Sequence, residues 1–481
     1  MKHPSNKRDG GSALAWTVII IMLLSMGAVE ILRLVTVKYQ NALQTATWQE
    51  ALVAGESGID LAITELRKSL FPAPNHAWES WNNPPGDGVT SYTLTTVENA
   101  GFAGTPMTVQ IYVDAPAALI DPTNFWQYYR VRTVGTMPIT GPARATDNKQ
   151  DNRLRKFSLR WERFTDGILA PRSISSPQVS RRVEAIVRPV GSFDQAIMSV
   201  ASLDFTDQNI VVDSYDSRSP SKSTNGLYDV AKRQQHANIA TDGNLIDAGN
   251  AHIYGDVSTN AGTVSGAANI TGVERTDFYQ EPIPVGAPTW LSINPTPSIV
   301  TGGVSIPASP IRSSVASRYI LSGITLSGNE TLTIAGAPDG SRTFVELYIT
   351  GDISVTGQGQ ITVAPGVSAT VYFAGNVDIS GKGILNSNNQ PGDLMMYGIN
   401  PSSGSPRHVS LSGNAQLTAA VYAPGHTVTV VGGGSSGHVF GSIVGKTVTM
   451  TGVTNLHYDE ALASGGIINN YKIVSWFEDT R

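Results

Sequence analysis

Residues 13–29 read Ala13-Leu14-Ala15-Trp16-Thr17-Val18-Ile19-Ile20-Ile21-Met22-Leu23-Leu24-Ser25-Met26-Gly27-Ala28-Val29, a run without a charged side chain. At a helical rise of about 1.5 Å per residue, such a run is close to the length that the hydrocarbon core of a bilayer demands. Lys2, Lys7 and Arg8 precede it, and an excess of cations on one flank keeps that flank in the cytoplasm. The expectation is a single-pass, membrane-tethered protein with exported C-terminal domains.

A cleaved secretory signal ends in a small-residue cleavage site after a shorter apolar core. Here apolar residues continue through Ile31, Leu34, Val35, Leu43, Ala46, Leu52, Ile59, Ala62, Ile63, Leu66 and Leu70, largely at steps of three and four, with no proline between Ala13 and Leu70. That spacing predicts one helix over 12–70, its first half in lipid and its second half an amphipathic stripe outside. Pro72, Pro74, Pro84 and Pro85 follow and end it.

The run is preceded by Gly10-Gly11-Ser12-Ala13-Leu14, a short basic leader closing on glycine just before an apolar helix. This segment resembles the N-termini of PilX-type minor pilins and K-type pseudopilins, components of type IV pili and type II secretion. The stretch Ala51-Leu52-Val53-Ala54-Gly55-Glu56-Ser57-Gly58-Ile59-Asp60-Leu61-Ala62 is similar to the segment that follows the apolar helix in PilX-like proteins, with Glu56 and Gly58 in the matching positions. The resemblance implies an anchor in the inner membrane with periplasmic or cell-surface C-terminal domains, processing by a prepilin peptidase between Gly11 and Ser12, and partners that are other pilins or pseudopilins packed along the helix. After such cleavage the fifth residue is Trp16, where filament-building pilins carry Glu; the departure points to a tip or initiating role rather than a repeating shaft.

From Val89 to Pro189 short alternating stretches recur: 91–95, 108–113, 129–134 and 182–188. Each reads as a half-buried strand. A long helix covering one face of a small antiparallel sheet is the pilin arrangement, expected here over 71–192. The segment 143–156, half of it charged, reads as a solvated loop.

Beyond residue 193 the texture changes to short Val, Ile and Leu strands separated by Gly, Asn, Ser and Asp. Ile349-Thr350-Gly351-Asp352-Ile353-Ser354-Val355-Thr356-Gly357 matches Phe373-Ala374-Gly375-Asn376-Val377-Asp378-Ile379-Ser380-Gly381 at a step of 24 residues, and 425–432 matches 445–452 at a step of 20. Propeller blades need roughly 40 residues, so steps of this size select a coil of a solenoid. The fold expected overall is an α+β pilin-like part, with its transmembrane and amphipathic helix and small antiparallel sheet, followed over 193–462 by an all-β right-handed parallel β-helix. A proline-rich excursion at 281–310 interrupts it, and 463–481 supplies a closing strand whose Trp476 and Phe477 are expected to cover the solenoid. The pieces Ala420-Val421-Tyr422-Ala423-Pro424, 441–446 and 456–462 are similar to the Gly-rich C-terminal domain of many PilX-like proteins, in which His457-Tyr458-Asp459 implies a motif at the end of the solenoid.

The chain of 481 residues contains no cysteine, which removes disulfides, thiol catalysis and Cys-ligated metal. A formal net charge of −5 offers no basic surface for nucleic acid. Asp204, Asp207, Asp213 and Asp216 would attract calcium, yet their spacing fits no EF-hand loop, and they read as turn residues. Asp352 and Asp378 give at best one acid per coil, too few for the paired carboxylates of glycoside hydrolysis. His426, His438 and His457 read as scattered surface residues. No Gly-x-Ser-x-Gly, His-Glu-x-x-His or Walker sequence occurs. The reading is therefore a structural protein without catalytic residues, cofactor or metal, displaying a β-helix suited to glycans or cell surfaces. The rival readings are a membrane-tethered polysaccharide-active enzyme and a self-assembling bactofilin-like scaffold.

Overall fold

A computed structural model describes residues 10–72, 74–82, 92–98, 107–120, 126–138, 178–205, 208–266, 269–292, 298–301, 304–307, 316–337, 341–401, 407–413, 417–432 and 437–479. It consists of one long N-terminal helix followed by a mostly-β body. Helix α1 runs unbroken over Gly10–Lys68. Its last turn carries Arg67 and Lys68, cations placed where the helix dipole favours them. One window of it is long and apolar enough to cross a membrane, with mean hydropathy 2.3 and none of it buried in the protein.

The second half of α1 meets a sheet of five antiparallel strands. These are β1 (Tyr92–Glu98), β2 (Met107–Asp114), β3 (Tyr129–Pro138), β4 (Gln178–Gly191) and the C-terminal strand Ile468–Asp479. Alternate residues of β2, β3 and β4 face the helix: Val109, Ile111 and Val113, then Val131, then Val183, Ala185 and Val187 pack with Ala54, Ile59, Ala62, Ile63 and Leu66. The period of two in the strands and the three-to-four spacing in the helix put both apolar sets on one plane. Segment 143–156 lies outside the described residues.

Close packing here depends on missing side chains. A Cβ on Gly58 would stand 2.9 Å from Val109 Cγ1 and 3.0 Å from Thr133 Cγ2, and one on Gly55 would stand 3.2 Å from Val183 Cγ2. On the sheet side, a Cβ on Gly135 would run into the Ala51 carbonyl oxygen. Glu65, buried at the far end of the helix, accepts hydrogen bonds from Lys68 Nζ at 2.7 Å and the Trp78 backbone N–H at 2.7 Å, fixing the chain as it turns away.

Everything between β4 and the C-terminal strand is an insertion between two neighbours of that sheet, because Gly191 stands opposite Ile468. The inserted part pairs its strands in parallel, in a sheet of 20 strands and a second of four. Its sequential order is not its spatial order. Strands β5 (Ile197–Phe205) and β6 (Gln208–Tyr215) lie in the interior of the array. Segment 239–253 pairs on them, and 257–275 pairs outward from there. The chain then crosses to the opposite end, at 298–307, and winds back through 317–335, 343–363, 367–386, 394–413 and 417–432. Segment 437–459 closes the array by pairing on β5 and β6.

The repeat steps in the sequence are steps in pairing register. Ile349 lies opposite Phe373 and Ile353 opposite Val377, 24 residues apart, whereas Thr427 lies opposite Thr447, 20 apart. Inward-facing Val345, Leu347, Ile349, Val371, Phe373, Met396, Val421 and Ile443 build one continuous core. Within the proline-rich stretch, an extended piece is held across the array. Tyr422 Oη donates to the Ile283 carbonyl at 2.9 Å, and the Val285 carbonyl accepts from the Asn400 N–H at 3.0 Å.

Two sequence expectations are corrected. The C-terminal strand completes the antiparallel sheet instead of covering the parallel array, leaving Trp476 45 % and Phe477 55 % exposed. His457-Tyr458-Asp459 occupies the interior of the array, between 437–440 and β6, rather than its end. Both corrections come from long-range returns of the chain that no local pattern encodes: 455–459 pairs on β6 about 240 positions back, and the C-terminal strand pairs on β4 about 280 to 300 positions back.

Candidate functional site

Gly11 and Ser12 lie in the first turns of α1. Trp16 is 64 % exposed, and the apolar side chains from Val18 to Val37 stand equally free. Glu56 faces solvent, whereas Gly58 is buried against the sheet. In this structure the family-like segment is thus a packing element, with Gly55 and Gly58 admitting the sheet. Where α1 leaves the sheet, Arg181 pairs with Glu478 and lays its guanidinium 3.8 Å over the Trp48 ring, tying helix, β4 and the C-terminal strand together.

The aspartates fall apart as a group. Asp204 sits within strand β5, half-buried, and Asp213 is fully buried in β6, not in turns; Asp216 alone serves a turn, accepting from the Arg218 N–H at 3.1 Å. Asp207 lies outside the described residues. Asp352 Oδ1 accepts from the Asn376 N–H at 2.7 Å, a bracket between successive segments, and Asp378 is 3.1 Å from His408 Nε2 on the surface. Among the described residues no group of three or more His, Asp or Glu side chains converges as a metal site.

The histidines differ from their surface reading. His426 is fully buried, its ring edge-on to Phe373 at 5.3 Å, and neither ring nitrogen has a hydrogen-bond partner. Burial, helped by Arg407 and His408, pushes its pKa down to about 4. The unfolded chain therefore takes up this proton first, and stability drains away as pH falls from about 6.5 to 4. His426→Leu is expected to gain up to about 3 kcal/mol on the parent across that window. Urea titrations of both proteins at pH 7, 5.5 and 4 measure it. The comparison is between variant and parent because Asp194, pushed up to about 6 mainly by burial, works in the opposite sense.

The densest polar cluster gathers where the returning segment 437–459 meets β6. His457 Nδ1 is 2.5 Å from Asp213 Oδ1, and since an ionised carboxylate only accepts, the imidazole donates. Tyr228 Oη donates to the other carboxylate oxygen at 2.7 Å, and Arg233 stands 4.0 Å away. On its far side His457 Nε2 meets His438 Nδ1 at 3.0 Å. The Tyr228 ring stacks on His457 at 3.8 Å. Burial, and then the neighbouring His457, lowers the pKa of His438 while Asp213 opposes the shift. Close by, Glu460 accepts from Ser214 Oγ at 3.0 Å and Lys222 Nζ at 2.8 Å and meets His236 Nδ1 at 2.8 Å. These contacts hold 214–236 against the closing segment. Asp213 and His457 are far apart in sequence, so only the pairing of β6 with 454–459 brings them together.

A family model described as a domain of unknown function, DUF7305, matches residues 318–464. That region runs from the strand Ser317–Leu326 to the closing segment that holds His438 and His457. No curated protein and no solved structure matches the chain.

Proposed function

We propose that this chain is a minor pilin-like component of a type IV pilus or a related pseudopilus, anchored by α1 and displaying the inserted parallel array outside the membrane. The observation that carries the reading is the insertion itself. The array leaves the five-stranded sheet at Gly191 and returns at Ile468, directly opposite, so the helix and sheet form one mounting unit and the array is a body carried on it. The length and apolar exposure of α1 suit a helix that packs in lipid and against neighbouring helices. We read the array as a right-handed parallel β-helix, supported by segment-on-segment parallel pairing at steps near 20 to 29 residues.

The surface it presents is regular. Thr325, Ser354, Asp378, Ser410, Thr429, Thr449, Asp204, Asp247 and Ser265 follow one another in register, one per segment. All are half-buried or exposed, and neighbouring strands repeat at about 4.8 Å. Such a hydroxyl and carboxylate ladder suits adhesion to glycans or to other cell surfaces.

Processing tests the pilin reading. Mass spectrometry of the chain recovered from cells that own a prepilin peptidase should find Ser12 as the mature N-terminus. An intact Met1 there would reject it.

A further inference from the structure

We propose that His438 and His457 together bind one divalent transition-metal ion of the zinc and copper class, at the joint between the closing segment and β6. The site is independent of the pilin reading. His438 Nδ1 and His457 Nε2 face each other at 3.0 Å with their ring planes 22° apart. Two imidazole nitrogens this close share a single proton, so one lone pair is always directed into the gap. Nitrogens each bonded to one ion at about 2.0–2.1 Å stand roughly 3 Å apart when they are adjacent ligands. The pair thus already has the spacing of two ligands of one ion; because the two nitrogens aim at each other, the half-buried His438 ring has to swing to turn its lone pair toward a shared ion, while His457 keeps its bond to Asp213.

The surroundings are those of a supported ligand. A metal-binding imidazole characteristically donates its other N–H to a carboxylate, which fixes the tautomer and strengthens the donor nitrogen. His457 does this to Asp213 at 2.5 Å, and with side-chain exposures of 4 % and 0 % the two are locked in place. Asp213 is held in turn by Tyr228 Oη at 2.7 Å. His438 is only half-buried, which leaves the remaining coordination positions to water. Two imidazoles with no thiolate select zinc, copper or nickel over calcium and magnesium, which prefer oxygen. Binding shifts the proton shared by the two rings to the other nitrogen of His438, leaving both facing lone pairs for the ion.

The test is calorimetric titration of the full chain in detergent with Zn²⁺ and with Cu²⁺, in two buffers of different ionisation enthalpy. One ion per chain is expected, and the two buffers separate its binding heat from that of any proton exchanged with solvent. His438→Ala should weaken it by at least about tenfold, Asp213→Asn by about 10- to 100-fold, and His76→Ala, at an exposed histidine just past α1, should leave it unchanged. Circular dichroism identifies any variant that fails to fold; His438→Gln, at the half-buried member of the pair, then carries the comparison. Absence of stoichiometric binding, or equal binding by parent and His438 variants, would overturn the proposal.

Discussion

Gly135→Val is expected to lift the amphipathic half of α1 off its sheet. A Cβ at Gly135 has nowhere to go: besides the Ala51 carbonyl oxygen it would meet Gly55 N at 2.8 Å and Ala54 Cβ at 3.0 Å, backbone and backbone-near atoms that cannot rotate aside. Overpacking at a well-filled contact costs about 1–3 kcal/mol, occasionally more, and valine adds two methyl groups to the clash. The helix cannot yield locally, because Ile59, Ala62, Ile63 and Leu66 are all buried against the same sheet. We expect about 3 kcal/mol of destabilisation, read as an earlier urea transition of tryptophan fluorescence from Trp48, Trp78 and Trp81. Gly27→Val is the matched control, since a Cβ there meets nothing within 4 Å. An unchanged transition in Gly135→Val would show that the helix does not depend on this close approach.

The array carries its stability differently. Ile443 lies opposite Val421 on one side and Ile197 on the other, joining residues that are nearly 250 positions apart in the chain. Such a closure forms late, because long-range parallel pairing must meet loop-closure entropy before it gains contacts. The five-stranded sheet has the same dependence, since its C-terminal strand is made last and pairs with β4. The two corrected expectations follow from these returns of the chain.

What could be read beforehand was local. The uncharged run before Val29, the helical stripe to Leu66 and the absence of proline gave the helix to within two residues of its described ends. The alternation in 108–113, 129–134 and 182–188 located β2, β3 and β4. The match of 349–357 to 373–381 predicted which residues lie opposite one another, because equal side chains recur where equal positions stack. What could not be read was distance in the chain. Asp213 looked like one of four turn aspartates, His457 like a surface residue, and neither carries a local sign of the other. His426 was misjudged because a single polar residue inside Gly425-His426-Thr427 looks like a corner, whereas its strand turns it into the core beside Phe373. Trp476 and Phe477 have the composition of a cover, yet their partners on β4 are Ala185 and Glu184.

Helix α1 is expected to cross a bilayer with the inserted array on the outer side. The chain lacks cysteine, so single cysteines report on topology without background. Asn329→Cys, on an exposed turn of the array, and Ser5→Cys, in the basic leader ahead of the apolar run, give the two reporters. In cells without prepilin peptidase and with a permeabilised outer envelope, a membrane-impermeant maleimide should label Cys at 329 nearly completely. Cys at 5 should stay unlabelled until the inner membrane is dissolved, with the chain remaining in the membrane pellet throughout. Labelling of both positions before detergent, or of position 5 alone, would contradict the account.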